Sequence, residues 1–281
     1  MNMNIIDCRL RPPFGAYAQN YLFDYAQKGY LAKTAQEHGA ALPASAKAAS
    51  MELLLKEMDD QGISQGLFAV RKSDVCGNEI LESLSATYPE RFIGFCGMSP
   101  REGMENCFAD LKRYVLQGPA KGIALEPALD DEPWYADAPM AYPLYEVCRD
   151  RKIPIMMTFG GRHPADASYY LPMAIEHIAA SFPELTLILC HGGWPWTTAS
   201  CSLALNYKNV YLCADMYLIN APGHRDYIDA ANYFLQDKLL FGSAYPIISL
   251  EDAVRFYTSC GIKEAVLPKI MSANIQRALD L

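Results

Sequence analysis

Short, uniformly apolar runs recur along this chain, separated by longer stretches in which apolar positions return every three or four residues. Eight such runs stand out: Asn4–Leu10, Gln65–Val70, Phe92–Gly97, Gly122–Leu125, Ile153–Met157, Thr186–Cys190, Val210–Cys213 and Leu239–Gly242. Between them lie segments such as SMELLLKEMDDQGI and DAVRFYTSCGI, whose spacing suits amphipathic helices. Strand and helix patterns in alternation predict βα units around a parallel sheet. Runs apolar on both faces are those of strands buried on both sides. Eight units in this rhythm favour a closed (β/α)8 TIM barrel, α/β in class, over an open sheet. No Pro- or Gly-rich linker divides the chain, so residues 1–281 are expected to form one domain.

Two segments interrupt the rhythm and distort the expected barrel. Residues 12–46, rich in Tyr, Phe and Ala, follow the first strand as an insertion much longer than an ordinary βα loop of about 2–6 residues. They read as a lid. Asp130–Pro143, DDEPWYADAPMAYP, is a second insertion after strand four and carries Trp134 and Tyr135. Loops at the C-terminal ends of barrel strands surround the active site, so both insertions are expected to shape the mouth of a pocket. Covering the barrel's side, or making an oligomer contact, is the alternative.

Composition narrows the function. Of 281 residues, 51% are hydrophobic and 20% charged, the profile of an ordinary globular protein. Lys and Arg number 24 against 32 Asp and Glu, a net charge of −8 with no basic run, which argues against a nucleic-acid partner. No run of about 18 apolar residues predicts a membrane span, and the start has no apolar segment behind a basic one. Nine cysteines, an odd number without a Cys-x-x-Cys pair, read as small buried hydrophobes in a reducing cytoplasm.

In a barrel the informative polar residues are those that end the strands. In chain order they are Asp7, Arg9 and Arg11, then Arg71, Glu126, Thr158, His191, Asp215 with Tyr217, and Ser243. Asp7, Arg9 and Arg11 stand two apart, so an unbroken strand would turn all three to one face. Two guanidiniums about 4 Å apart would repel by roughly 4 kcal/mol at an effective dielectric of 20, which calls for an anion between them. Asp7 can answer one charge, and a bound carboxylate or phosphate the other. A closed network of these arginines with Asp7, Glu126 and Asp215, without any ligand role, is the competing expectation.

His191 follows an apolar strand and precedes Gly192 and Gly193, where backbone can approach a ligand closely. Neighbouring arginines would disfavour its charged form and suit it to accept a proton. His38, His163, His177 and His224 read as surface or structural, although Arg162 and His163 could reach the mouth. Trp194 and Tyr217 are candidates to line an apolar part of the pocket. Ser243 lacks the Gly-x-Ser-x-Gly surroundings of a nucleophile, and the glycines of TFGGRHP match no nucleotide-binding pattern.

The pieces IIDCRLRPP, KIPIMMTFGG, FPELTLILCHGGWPW, KLLFGSAYP and SANIQRAL run in that order over nearly the whole chain. Together they resemble the amidohydrolase-related branch of the amidohydrolase superfamily, which are distorted (β/α)8 barrels. The resemblance implies a divalent metal, commonly zinc, held by a His-x-His on strand one, histidines after strands five and six, and an Asp after strand eight. Those positions fall here on Arg9 and Arg11, on Thr158, on His191 and on Ala244. His191 alone is retained. Zinc draws about four ligands from Cys, His and carboxylates, whereas Arg has no lone pair to give, so no metal and no other cofactor is expected at this position. The resemblance also places Ser243 in a turn and makes Asn274 a structural hydrogen bonder.

Three readings follow. In the first, Arg9, Arg11 and Arg71 bind an acidic substrate and stabilise developing negative charge. His191 is then the general base, Asp215 or Glu126 orients it or returns the proton, and Thr158, Trp194 and Tyr217 contact the substrate. Lactonases and amidases belong to the resembled family, so a small carboxylate-bearing lactone or amide is the natural substrate. The second reading is a non-catalytic protein that binds an anionic metabolite. A third is a metal-dependent hydrolase or decarboxylase with displaced ligands, for example His191, Asp215, Glu126 and Asp7. The Tyr-rich insertions leave room for a homodimer.

Overall fold

The computed structural model describes residues 4–72, 77–162 and 166–281. Eight strands run parallel in sequence order: β1 (Ile5–Asp7), β2 (Ile63–Ala69), β3 (Phe92–Gly97), β4 (Gly122–Leu125), β5 (Ile155–Thr158), β6 (Leu187–Cys190), β7 (Val210–Cys213) and β8 (Leu239–Leu240). Every predicted run overlaps one strand; β3, β4 and β7 keep the predicted limits, whereas β2 begins before its run and β5 ends after its own. The sheet curls until its edges meet, where Cys8 N donates to Phe241 O (2.9 Å) and Arg11 N to Tyr245 O (3.2 Å). Flanking helices complete a (β/α)8 barrel.

The two faces of each strand explain why the runs are apolar throughout. Ile6, Leu67, Ala69, Ile93, Phe95, Met156, Ile188, Cys190 and Cys213 form one buried cluster, the packed interior of the barrel. Their strand neighbours Ile5, Phe68, Phe92, Ile155, Leu187, Leu189 and Leu212 belong to a second cluster shared with the helices. A period of two therefore sorts side chains between two apolar layers rather than between core and water. Eight cysteines are free thiols, seven of them buried; Cys76 and His163 lie outside the described residues.

β1 is shorter than its run. Asp7 Oδ1 accepts the amide of Arg9 (2.9 Å), an Asx turn that bends the chain at Cys8 and Arg9. The expectation that Asp7, Arg9 and Arg11 share one strand face therefore fails, because the strand has ended before the arginines begin.

The first insertion packs closely on the barrel. It carries helices at Tyr21–Gln27 and Tyr30–Glu37, and Tyr17 meets Phe68 of β2 edge to face at 5.0 Å. In the second, Trp134 is 3% exposed and donates from Nε1 to Asp130 Oδ2 (2.9 Å). Trp134 N also donates to Pro127 O (3.0 Å), so the residue ties the loop back to the segment just after β4. Tyr135 stays exposed and lies against Tyr169, ring centroids 4.7 Å apart. Among the described residues, no helix is long and apolar enough to cross a membrane.

Candidate active site

The strand-end residues converge at one end of the barrel into two joined clusters. The first is built on Glu126, the residue after β4. Arg9 Nη2 lies 3.5 Å and Arg11 Nη2 3.0 Å from its Oε1, while Arg71 Nε lies 2.6 Å from Oε2. Thr158, closing β5, donates to the same Oε1 (2.6 Å) and accepts from Arg9 Nη2 (3.0 Å). Burial by itself would push the Glu126 carboxyl up, but the Arg71, Arg11 and Arg9 charges, with the Thr158 hydroxyl, overcome it and hold the pKa at about 2. Glu126 is therefore a permanent carboxylate at neutral pH. A proton-returning role does not suit it.

Three fixed positive charges face this single carboxylate. Arg9 is 3% exposed, and its Nε has no acceptor among the described residues. Beside Glu126 lies a cavity of about 20 Å³, lined on its other sides by residues such as Val70, Lys72, Met98 and Ser99.

Asp7 does not join the cluster, contrary to the expectation that it answers a guanidinium. Its carboxylate accepts from Ser243 N (2.9 Å) and Ser243 Oγ (2.5 Å) as well as from Arg9 N, tying β1 to the turn after β8. Burial pushes its pKa up to about 6, against these hydrogen bonds. Ser243 is spent on the same seam and also accepts from Tyr245 N (2.9 Å). Asn274 has a structural place, donating from Nδ2 to the carbonyl oxygens of Leu239 and Gln236 (both 2.8 Å).

The second cluster is built on His191, just past β6. Its Nδ1 lies 2.8 Å from Asp215 Oδ2 and 3.0 Å from Oδ1, and its backbone N–H donates to Oδ2 (2.9 Å). Asp215 is fully buried after β7. With Nδ1 donating to this carboxylate, the lone pair of the neutral ring sits on Nε2. Burial lowers the His191 pKa below its ordinary 6.5; Asp215 opposes the shift, and Arg9 and Arg11 add to it. His191, Asp215 and Ala244 all have positive φ, +63°, +43° and +59°. Such backbone costs about 1–3 kcal/mol per residue and gathers where a site needs a side chain aimed against local preference.

An aromatic wall flanks His191. Tyr217 meets the imidazole edge to face at 5.2 Å, and Trp194 stacks on Tyr217 at 4.9 Å with planes 20° apart. The Tyr217 hydroxyl accepts the Arg162 amide (2.9 Å), leaving its own proton to donate. Gly161, at φ +95°, makes room, since a Cβ there would lie 2.8 Å from that hydroxyl and 3.2 Å from His191 Cδ2. His177 bonds Asp137 (2.6 Å) and His224 the Ala221 carbonyl (2.8 Å), both structural pairings.

Sequence reasoning missed two neighbours of the site. Tyr21, in the first insertion, accepts from Arg71 Nη1 and lies with its ring 5.5 Å from that guanidinium. His38 is buried, holds the Ile219 carbonyl at 2.6 Å through Nδ1, and meets Tyr217 edge to face at 6.1 Å. Only the Tyr-rich composition of residues 12–46 hinted at the first. Nothing in the spacing singled out the second.

The donor chemistry at the five positions does not suit a divalent metal, since His191 alone offers a free lone pair and Ala244 offers none. Arg9 and Arg11 offer no lone pair and carry positive charge, and the hydroxyl of Thr158 is committed to Glu126. The displaced set fares no better, because Glu126 is held by arginines, Asp7 by Ser243 and Asp215 by His191. Among the described residues, no three His, Cys, Asp or Glu side chains gather in a metal-binding group.

Comparison with known proteins agrees with this architecture. The family model Amidohydro_2, described as amidohydrolase, matches residues 7–281. An uncharacterized TIM-barrel protein from Bordetella bronchiseptica superposes with a TM-score of 0.89 at 34% identity, covering 98% of each chain. The 2,6-dihydroxybenzoate decarboxylase from Rhizobium (TM-score 0.72, 16% identity, 99% of each chain) shares the fold. So does the 4-oxalomesaconate hydratase from Rhodopseudomonas palustris (TM-score 0.66, 18% identity, 98% of this chain and 95% of the other). No curated protein matches the sequence.

Proposed function

This chain belongs to the amidohydrolase family, and from that premise we propose that it is a metal-independent hydrolase of a small carboxylate-bearing lactone or amide. The observation that carries the reading is His191, clamped by Asp215, beside a cluster of three guanidiniums of which Arg9 and Arg11 are buried and Arg71 partly so. The guanidiniums bind the substrate's carboxylate and stabilise charge that develops on its carbonyl oxygen, work a divalent ion would otherwise do. Tyr217 and Trp194 supply the remaining contacts, the first as a hydrogen-bonding group and the second as part of a flat apolar wall, while Thr158 holds Glu126 and Arg9 in place rather than touching the substrate.

His191 Nε2 takes a proton from water while the water oxygen bonds to the carbonyl carbon and the carbonyl π pair moves to oxygen. Collapse restores the C=O bond and breaks the C–O or C–N bond to the leaving group. The proton held on Nε2 then passes to that leaving oxygen or nitrogen. Asp215 keeps the ring in the required tautomer and stabilises the transient imidazolium. Glu126 serves as counter-ion, since three arginines hold it ionised.

A second reading, binding of an anionic metabolite without turnover, draws on the same Glu126, which already answers the guanidiniums. A screen of lactones, amides and dicarboxylic acids separates the two. Hydrolysis that His191→Asn abolishes, while the fold and ligand binding persist, is the expected result. Unchanged turnover in that variant refutes the assignment of the base, and saturable anion binding with no hydrolysis across the screen leaves the second reading in its place.

A further inference from the structure

Glu126 occupies the place where, on the reading above, a substrate carboxylate is bound. It is a carboxylate itself, tethered to β4 and gripped at both oxygens by Arg9, Arg11 and Arg71 at 2.6–3.5 Å. We propose that Glu126 is an internal competitor for the anion site, setting how tightly the three guanidiniums take an external carboxylate. The inference rests on the proposed function and adds an affinity-determining residue to it.

Three observations support it beyond the ion pairs. The charge is unequal, three guanidiniums to one carboxylate in this cluster, so a second anion meets attraction even with Glu126 in place. Arg9 Nε, on a side chain 3% exposed, has no acceptor among the described residues, and a buried charged donor without one is costly. The cavity of about 20 Å³ against Glu126 gives its carboxylate room to shift by about the size of a water when an anion arrives. A residue serving only to hold the arginines in place predicts the opposite effect on affinity, because its loss would scatter them. A competitor's loss frees them.

Calorimetric titration with benzoate, and separately with sulfate, tests this on the whole chain without knowledge of the substrate. Glu126→Gln keeps the shape and removes the charge, and it should bind benzoate at least about tenfold more tightly than wild type, a change of about 1.4 kcal/mol. If the variant folds only when benzoate or sulfate is added, the external anion is replacing the carboxylate, which supports the proposal equally. Equal or weaker binding by a folded variant overturns it, as does a variant that stays unfolded in excess anion. Wild type that binds benzoate without tightening in Glu126→Gln sinks this proposal alone. Absence of binding in both proteins sinks the anion-site reading beneath it.

Discussion

Asp7→Asn should change how stability depends on pH, and the sign follows from where Asp7 sits. The carboxyl is fully buried at the seam between β1 and the turn after β8, and burial raises its pKa from 3.8 to about 6. A group that binds its proton more tightly in the folded chain favours folding fully below the unfolded pKa, and that contribution is lost as pH rises through the folded one. From well below pH 3.8 to well above pH 6 the loss totals about 3 kcal/mol, since each tenfold change in proton affinity is worth about 1.36 kcal/mol. Asparagine keeps the shape and never ionises. Its oxygen can accept the amides of Arg9 and Ser243, and the Ser243 hydroxyl can turn its proton to Arg9 O, 3.4 Å away. The variant should therefore gain on wild type by about 2.4 kcal/mol between pH 4 and pH 7. Urea denaturation of both proteins across that range measures the difference, with the other titrating groups cancelling. A flat difference, or a variant that loses ground as pH rises, refutes the reasoning.

Three further outcomes are expected. The acid limb of turnover should have its midpoint below 6.5, because burial and the neighbouring arginines lower the His191 pKa, and a pH–rate profile whose limb lies above 6.5 contradicts that environment. Gly161→Ala should cut turnover more than tenfold while binding of benzoate changes little, since the new methyl would press on Tyr217 and His191 rather than on the arginines; a variant with wild-type kcat removes the aromatic wall from the account. Arg11→Met should weaken benzoate binding by about 10- to 100-fold, the range for losing a charged hydrogen bond of about 1.5–3 kcal/mol, and calorimetry reads it directly.

The barrel was legible because parallel strands buried on both sides write themselves as short apolar runs, and helices between them keep their own period. The polar residues that end the strands were legible for a related reason: a barrel presents strand ends to one face, so Arg9, Glu126, Thr158, His191 and Asp215 could be picked out, and they lie in two groups, Arg9 with Glu126 and Thr158, and His191 with Asp215. What failed was local backbone. An Asx bond two residues long ends β1 at Asp7, and period-two reasoning carried past that bend misassigned the partner of Asp7. Contacts made by the insertions, Tyr21 on Arg71 and His38 on Tyr217, depend on how a long loop folds back. No spacing rule encodes that.

The central claim is that guanidiniums have taken the place of a cation, so that this cavity holds anions. Titrating chelator-treated protein with zinc and, in parallel, with benzoate tests it most directly. The account predicts saturable one-to-one benzoate binding that Arg11→Met weakens, and no zinc binding at this position. Stoichiometric zinc binding that disappears in His191→Asn would contradict it.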